Sequence, residues 1–195
     1  MENINILVVC HGNVCRSPLA AAELAYHMGW NNVRSRGTHA KNRQRASLKV
    51  REYAYQVGLN IDRHRSQKLD QIDVDWATII LYMDYRNYKN LQSFQAAQEK
   101  CINAGNLLGQ SKIQDPGFIS RGPRLEAILA QVSTAAVELL DIMTKKAPDC
   151  LPGLTLIQQD VRNKEIAKLI KVLCQPKLRE QDQNQPYCLS KPSGL

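Results

Sequence analysis

No run of about 18 consecutive apolar residues occurs in this chain of 195 residues, so nothing in it reads as a membrane span. No charged-then-apolar leader precedes the first apolar stretch, which gives the expectation of a cytoplasmic protein. The six cysteines (Cys10, Cys15, Cys101, Cys150, Cys174 and Cys188) lack metal-ligand spacing. No metal site is therefore expected. A secreted disulfide framework does not suit a chain of this length either, which favours a reducing compartment. No internal repeat is evident. Between Arg34 and Arg51 there is no acidic residue, although seven Lys and Arg side chains fall there (Arg34, Arg36, Lys41, Arg43, Arg45, Lys49 and Arg51). Much of the net charge of +8 thus lies in one short region.

What is present is concentrated near the N-terminus, in Cys10-His11-Gly12-Asn13-Val14-Cys15-Arg16-Ser17-Pro18. The preceding Ile4 to Val9 is β-branched and uncharged, a short buried strand. Ser17 is a good helix N-cap and Pro18 a good first helical residue, with a periodic apolar stretch through Met28 behind them. A strand, a tight loop and a helix N-terminus together make an anion site, because backbone N–H groups and the positive end of the helix dipole converge there. A cysteine in that field, beside a cation, is favoured as thiolate. Arg16 supplies the cation and a planar fork that grips two phosphoryl oxygens. Gly12 is expected to let the backbone turn, and Asn13 tolerates positive φ. A buried structural cysteine beside a chance arginine is the alternative; the strand and the Gly, Asn, Ser and Pro positions argue against it.

The remaining pattern alternates. Strands are expected at 4–9, near 32–36, at 77–82 and near 107–113, with helices at 18–28, 45–57, 85–100 and 123–143. Alternation of this kind implies a three-layer α/β fold, a four-stranded parallel sheet flanked by helices on both faces, with the site at the C-terminal edge of the strands. With 44% hydrophobic residues the chain can build a proper core. Pro148, Pro152 and Gly153 break the pattern. Beyond them one short amphipathic helix is expected at Asn163–Cys174, docked on the domain or on a partner, followed from Gln175 by a polar, flexible end.

The loop resembles the phosphate-binding loop of the low-molecular-weight protein tyrosine phosphatases, Cys-x-Gly-Asn-x-Cys-Arg-Ser. Further segments resemble that family in order: Val33 to Thr38, Gly58 to Leu69, Asp75 to Asp84 and Asp115-Pro116. The resemblance covers about residues 4 to 144, and implies a phosphatase-like domain at 1–146 with an extension at 147–195. It also implies two-step chemistry without a cofactor. Cys10 attacks phosphorus, Arg16 and the loop hold the oxygens, and Asp115 protonates the leaving group and then serves as base. An ordinary Asp-Pro turn is the other reading of Asp115. His11, Gly12, Asn13, Val14, Cys15 and Ser17 would form the loop, with no catalytic role for His11. Ser35 and His64, together with Asn13 and Ser17, match positions that support it. Cys15 is either the partner for a protective disulfide with Cys10 or a small packing residue.

Two departures bear on substrate. Lys41 stands near the place where the family carries an aromatic, and Gly117, not an aromatic, follows Asp115-Pro116, with Phe118 one position later. Both thin the walls that would grip a phenyl ring. Val14 is aliphatic, as in the tyrosine phosphatases, whereas phosphoarginine-directed relatives carry threonine there. The resemblance thus implies a phosphorylated protein substrate, above all phosphotyrosine, and the basic run favours an acidic one. Nothing interleaves that run with aromatics, which argues against nucleic acid. The alternatives are a phosphate- or phosphoprotein-binding module with little turnover, and an arsenate reductase, though residues 82–90 lack the cysteines such a relay needs. The sequence does not specify an oligomeric state.

Overall fold

The computed structural model of the protein describes residues 4–117, 122–144 and 156–173. Its sheet is parallel throughout, with strands β1 (Ile6–Cys10), β2 (Val33–Gly37), β3 (Ile79–Tyr82) and β4 (Cys101–Asn103) in the spatial order β2-β1-β3-β4. In β1 every residue is buried, but the faces alternate. Ile6, Val8 and Cys10 enter one apolar cluster, and Leu7 and Val9 a second on the other side. A strand buried on both faces needs helices above and below, which is why it reads as an unbroken apolar run.

One layer contains α1 (Arg16–Met28), α2 (Leu48–Gln56), α6 (Ala104–Leu107), α7 (Pro123–Met143) and α8 (Leu156–Leu173). The other contains α3 (Gln71–Trp76), α4 (Tyr85–Leu91) and α5 (Ala97–Lys100). This is the expected three-layer α/β architecture. Helix α7 has Pro123 at its first turn, where the missing N–H is not needed. Its Leu125, Ile128, Leu129, Val132, Ala136 and Leu139 are buried on one face.

Several elements differ from expectation. The fourth strand is not at 107–113 but at Cys101–Asn103. Asn103 ends it by accepting from the N–H groups of Gly105 and Asn106, which starts α6 immediately. From 107–113 only a single sheet-like tie is made, Ile113 N donating to Met83 O at 2.8 Å. That bond still carries the following segment to the sheet's C-terminal edge. The helical stretch expected at 85–100 is broken, with Ala96 left-handed at φ 58. The amphipathic stretch beyond 163 lies within the longer α8, which packs on α6, β4 and α7. Glu165 accepts from Asn103 N and Asn106 Nδ2, both at 2.8 Å, and Arg162 pairs with Glu138 of α7. Cys174 and the expected flexible end lie outside the described residues.

Candidate active site

Cys10 is the last residue of β1, and the loop after it delivers Arg16 as the first residue of α1. Helix α1 thus begins earlier than Ser17-Pro18 suggested. Ser17 does not cap the helix, because its hydroxyl is engaged elsewhere: Oγ lies 3.0 Å from Cys10 Sγ and donates to Arg36 O at 3.3 Å. The loop opens onto the N-terminus of a 13-residue helix, whose dipole favours an anion.

Asn13 holds the loop in shape. It is fully buried and left-handed at φ 53, a conformation asparagine adopts more readily than most residues. Its Nδ2 donates to Ser17 Oγ at 2.9 Å and Ser35 Oγ at 3.0 Å, and its Oδ1 accepts from Gln67 N at 2.9 Å. Its carbonyl accepts from His64 Nε2 at 2.8 Å. A carbonyl only accepts, so His64 carries its proton on Nε2. Burial pushes the His64 pKa below its usual value, against the pull of that hydrogen bond and with help from Arg65 and Arg36. The tight turn expected at Gly12 belongs to Asn13 instead: Gly12 lacks positive φ, and a Cβ there would meet only Val14 Cγ2 at 3.5 Å. The glycine the loop requires is Gly37, where a Cβ would sit 2.8 Å from His11 O and 2.9 Å from Asn13 N.

Arg16 is 1% exposed, and both of its terminal nitrogens are engaged. Nη1 donates to Asp84 Oδ2 at 2.6 Å and Ile113 O at 3.0 Å, and Nη2 to Asp115 Oδ2 at 2.6 Å. Burial alone would disfavour the cation, but the charges of Cys10, Asp115 and Asp84 outweigh it and hold its pKa above the ordinary value. Asp115 makes the Asp-Pro turn, its Oδ1 accepting from Gly117 N at 3.0 Å, and the same side chain turns Oδ2 to Arg16 at the cleft.

Asp84 was not singled out from the sequence as a site residue. It follows β3 and caps α4, its Oδ1 accepting from Asn87 N at 3.0 Å and leaving Oδ2 for Arg16. The local signal was available, an acidic residue between a buried strand and a helix start. Its long-range partner was not.

Cys15 is half-buried and donates to Ser47 Oγ at 3.6 Å. Burial raises its pKa, so it is a poorer thiolate than an ordinary cysteine. His11 is exposed and stacks on His39 with ring centroids 4.6 Å apart. The cleft over the loop has a volume of about 790 Å³, and Cys10, His11, Gly12, Val14, Cys15, Arg16 and Asp115 all line it. The wall assigned to Lys41 is built instead by Leu48, 59% exposed, and Lys49 at the start of α2. Arg86, Pro116, Gly117 and Leu125 complete the lining, and Phe118 lies outside the described residues. Among the described residues there is no group of three or more His, Cys, Asp or Glu able to hold a metal ion. None of their helices is long and apolar enough to cross a membrane.

The sequence and the fold are similar to those of known proteins. The family model for low molecular weight phosphotyrosine protein phosphatase matches residues 5–149. A protein named probable low molecular weight protein-tyrosine-phosphatase EpsP, from Ralstonia nicotianae, is 35% identical over 111 residues, covering 57% of this chain and 77% of its own. The protein-arginine-phosphatase of Geobacillus stearothermophilus is 39% identical over 79 residues, covering 40% of this chain and 53% of its own. The solved structure of the Erwinia amylovora tyrosine phosphatase amsI superposes with a TM-score of 0.67 at 25% identity, covering 72% of this chain and 93% of that one.

Proposed function

This chain belongs to the low molecular weight phosphotyrosine protein phosphatase family, and from that premise we propose that it hydrolyses phosphotyrosine in proteins through a phosphocysteine on Cys10. The observation that carries the reading is the convergence of Cys10 Sγ, the Arg16 guanidinium and the Asp115 carboxylate on one cleft, although Asp115 lies 99 residues beyond Arg16 in sequence.

In the first step the Cys10 thiolate attacks phosphorus in line. The S–P bond forms as the bond to the tyrosine oxygen breaks, and Asp115 donates its proton to that oxygen. The Asp115–Arg16 contact is made by the carboxylate form. A bound phosphoryl group competes for the same guanidinium and frees Asp115 to carry a proton. Arg16, steadied by Asp84 and Ile113 O, clamps the equatorial oxygens where charge accumulates. In the second step Asp115 takes a proton from water as it attacks phosphorus, and the S–P bond breaks. Ser17, 3.0 Å from Sγ, turns its one hydroxyl proton from Arg36 O to the departing thiolate. Asn13, Ser35 and His64 act only by holding the loop in place.

The partner is a phosphorylated protein, with acidic surroundings favoured by the basic run. A cytoplasmic location suits a nucleophile that works only when reduced. The test is hydrolysis of p-nitrophenyl phosphate and phosphotyrosine peptides by the protein and its Cys10→Ser variant. Turnover that disappears in the variant while phosphate still binds is expected; turnover that survives would remove Cys10 as nucleophile. Asp115→Asn should slow substrates with poor leaving groups far more than activated ones, and equal losses across a leaving-group series would remove Asp115 from the mechanism. The identity to the Geobacillus enzyme gives phosphoarginine a place as a second reading. Peptides carrying one phosphorylated residue or the other decide between them.

A further inference from the structure

Elsewhere the chain neutralises many of its cations: Arg16 with Asp84 and Asp115, Arg34 and Arg36 with Asp73, Arg51 with Asp62, Arg162 with Glu138. Two loops beside the catalytic loop do the reverse, and the one acidic residue on them, Asp62, is already taken up by Arg51. Lys41, Arg43 and Arg45 on the first, and Arg63, Arg65 and Lys68 on the second, are exposed, and none meets a carboxylate among the described residues. These loops are stitched together. Arg43 N donates to Ser66 O and Ser66 N to Gln44 O, both at 2.8 Å, while Gln44 N donates to the buried Ser66 Oγ and Lys68 N to Asn42 Oδ1, both at 2.9 Å. The same pair is tied to the catalytic loop through Ser47 N to Val14 O at 2.9 Å and His64 Nε2 to Asn13 O at 2.8 Å. Six like charges are thus held on a fixed frame despite their repulsion, continuous with the cleft wall at Lys49.

What could cover them is limited by what the loops lack. Neither 38–47 nor 60–69 contains Phe, Tyr or Trp, and the exposed ring of the first, His39, is already stacked on His11, so the loops offer no row of aromatics for successive single-stranded bases. Of their apolar residues Ala46, Ile61 and Leu69 are buried and Ala40 is half-buried, leaving nothing large to enter a bilayer. An extended acidic peptide needs neither. Its carboxylates require only spaced cations, and Arg side chains offer paired donors to each.

Resting on the phosphatase reading above, we propose that this stitched loop pair docks an acidic segment of the substrate protein that adjoins the phosphorylated residue. The surface sets which phosphoproteins are used without taking part at phosphorus. The test combines Arg43→Gln, Arg45→Gln and Arg63→Gln, three exposed side chains outside the cleft. At low ionic strength, kcat/KM toward a phosphotyrosine peptide flanked by four Asp or Glu should fall about tenfold, the sum of several weak exposed contacts. Activity toward p-nitrophenyl phosphate and a neutral phosphopeptide should stay within about twofold. Fluorescence anisotropy with the same acidic peptide, unphosphorylated, reads docking without turnover and should show weaker binding to the variant. Equal peptide binding by both proteins overturns the docking surface, whatever the catalytic result. An absence of hydrolysis by the unaltered protein, with peptide binding still lost in the variant, overturns only the phosphatase reading. Loss of binding to phosphatidylserine vesicles or to single-stranded RNA, with acidic-peptide preference intact, also overturns the proposal.

Discussion

Arg16 and Arg162 are both almost fully buried, at 1% and 2% exposure, yet their surroundings differ in kind. Arg16 divides its fork between Asp84, at the buried start of α4, and Asp115, whose side chain is 46% exposed at the rim of the cleft. Arg162 of α8 meets Glu138 of α7, itself only 4% exposed, and its Nε has no partner among the described residues. One guanidinium can exchange a carboxylate for an incoming anion while keeping the other in place. The other is sealed and can only join two helices. A charge that must change partners during a reaction needs one edge open to solvent. A purely structural pair gains nothing from being ionic, and apolar residues of similar volume would serve as well.

The largest expected effect separates the two in activity. Arg16→Ala should lower kcat/KM by about 10³-fold or more, about 4 kcal/mol of transition-state stabilisation. Arg162→Met, assayed under conditions where it stays folded, should remain within about twofold of the parent. Steady-state kinetics with p-nitrophenyl phosphate reads both. Comparable losses in the two variants would erase the distinction.

Stability tests the sealed pair by itself. Arg162→Met leaves Glu138 buried without a counter-charge, a change that costs about 3–5 kcal/mol. The double variant Arg162→Met with Glu138→Leu removes both charges and should recover most of that loss in urea unfolding. A double variant as unstable as the single one would mean that the α7–α8 pair does more than neutralise itself.

The same contrast explains what could be read from the sequence. Cys10, the loop, Arg16 and Ser17 were legible because their chemistry is contiguous: a β-branched strand, a left-handed-tolerant Asn13 and a helix start fall within a dozen residues. The three-layer α/β fold followed from alternation, and α7 from a long apolar stripe. Asp84 and Arg86 were not legible as site residues, because the sheet order, not any local pattern, brings the end of β3 to the cleft, and Lys49 was legible only as one member of the basic run. Strand β4 was misplaced because three residues carry no period, and Asn103 turns the chain into α6 at once. Gly12 was assigned a turn that Asn13 makes, since both residues tolerate it and only the backbone decides. The docking of α8 depends on Glu165 and Arg162 finding Asn103 and Glu138 across the fold, and nothing in the extension itself names those partners.

A smaller effect sharpens the open site. Asp84→Asn keeps an oxygen to accept from Asn87 N, so the α4 cap survives, but it removes the fixed counter-charge of Arg16. The guanidinium is then less firmly aimed, and kcat/KM should fall about 10–100-fold, about 1.4–2.7 kcal/mol, with little change in Tm. Because Asp84 acts through Arg16, Asp84→Glu should restore part of the loss only if the carboxylate still reaches Nη1. An Asp84→Asn protein with unchanged kinetics would leave Asp115 as the only charged partner that matters to Arg16 among the described residues.

The smallest effect concerns the neutral side of the loop, where His64 supports Asn13. Its folded pKa lies below the ordinary value of about 6.5, chiefly through burial. Below about pH 6.5 the unfolded chain therefore binds a proton that the folded chain resists. The stabilising contribution of neutral His64 is complete above that pH and is lost as pH falls through the folded pKa. His64→Gln retains an N–H donor for Asn13 O but cannot titrate. The stability of the parent relative to this variant should consequently be greatest at pH 7.5 and should narrow toward pH 5, measured by urea unfolding at each pH. Comparing the two proteins cancels the carboxylates they share. A gap that widens on acidification would mean that the folded state favours the imidazolium, which would make His64 part of the site's charge pattern and not a neutral strut behind it.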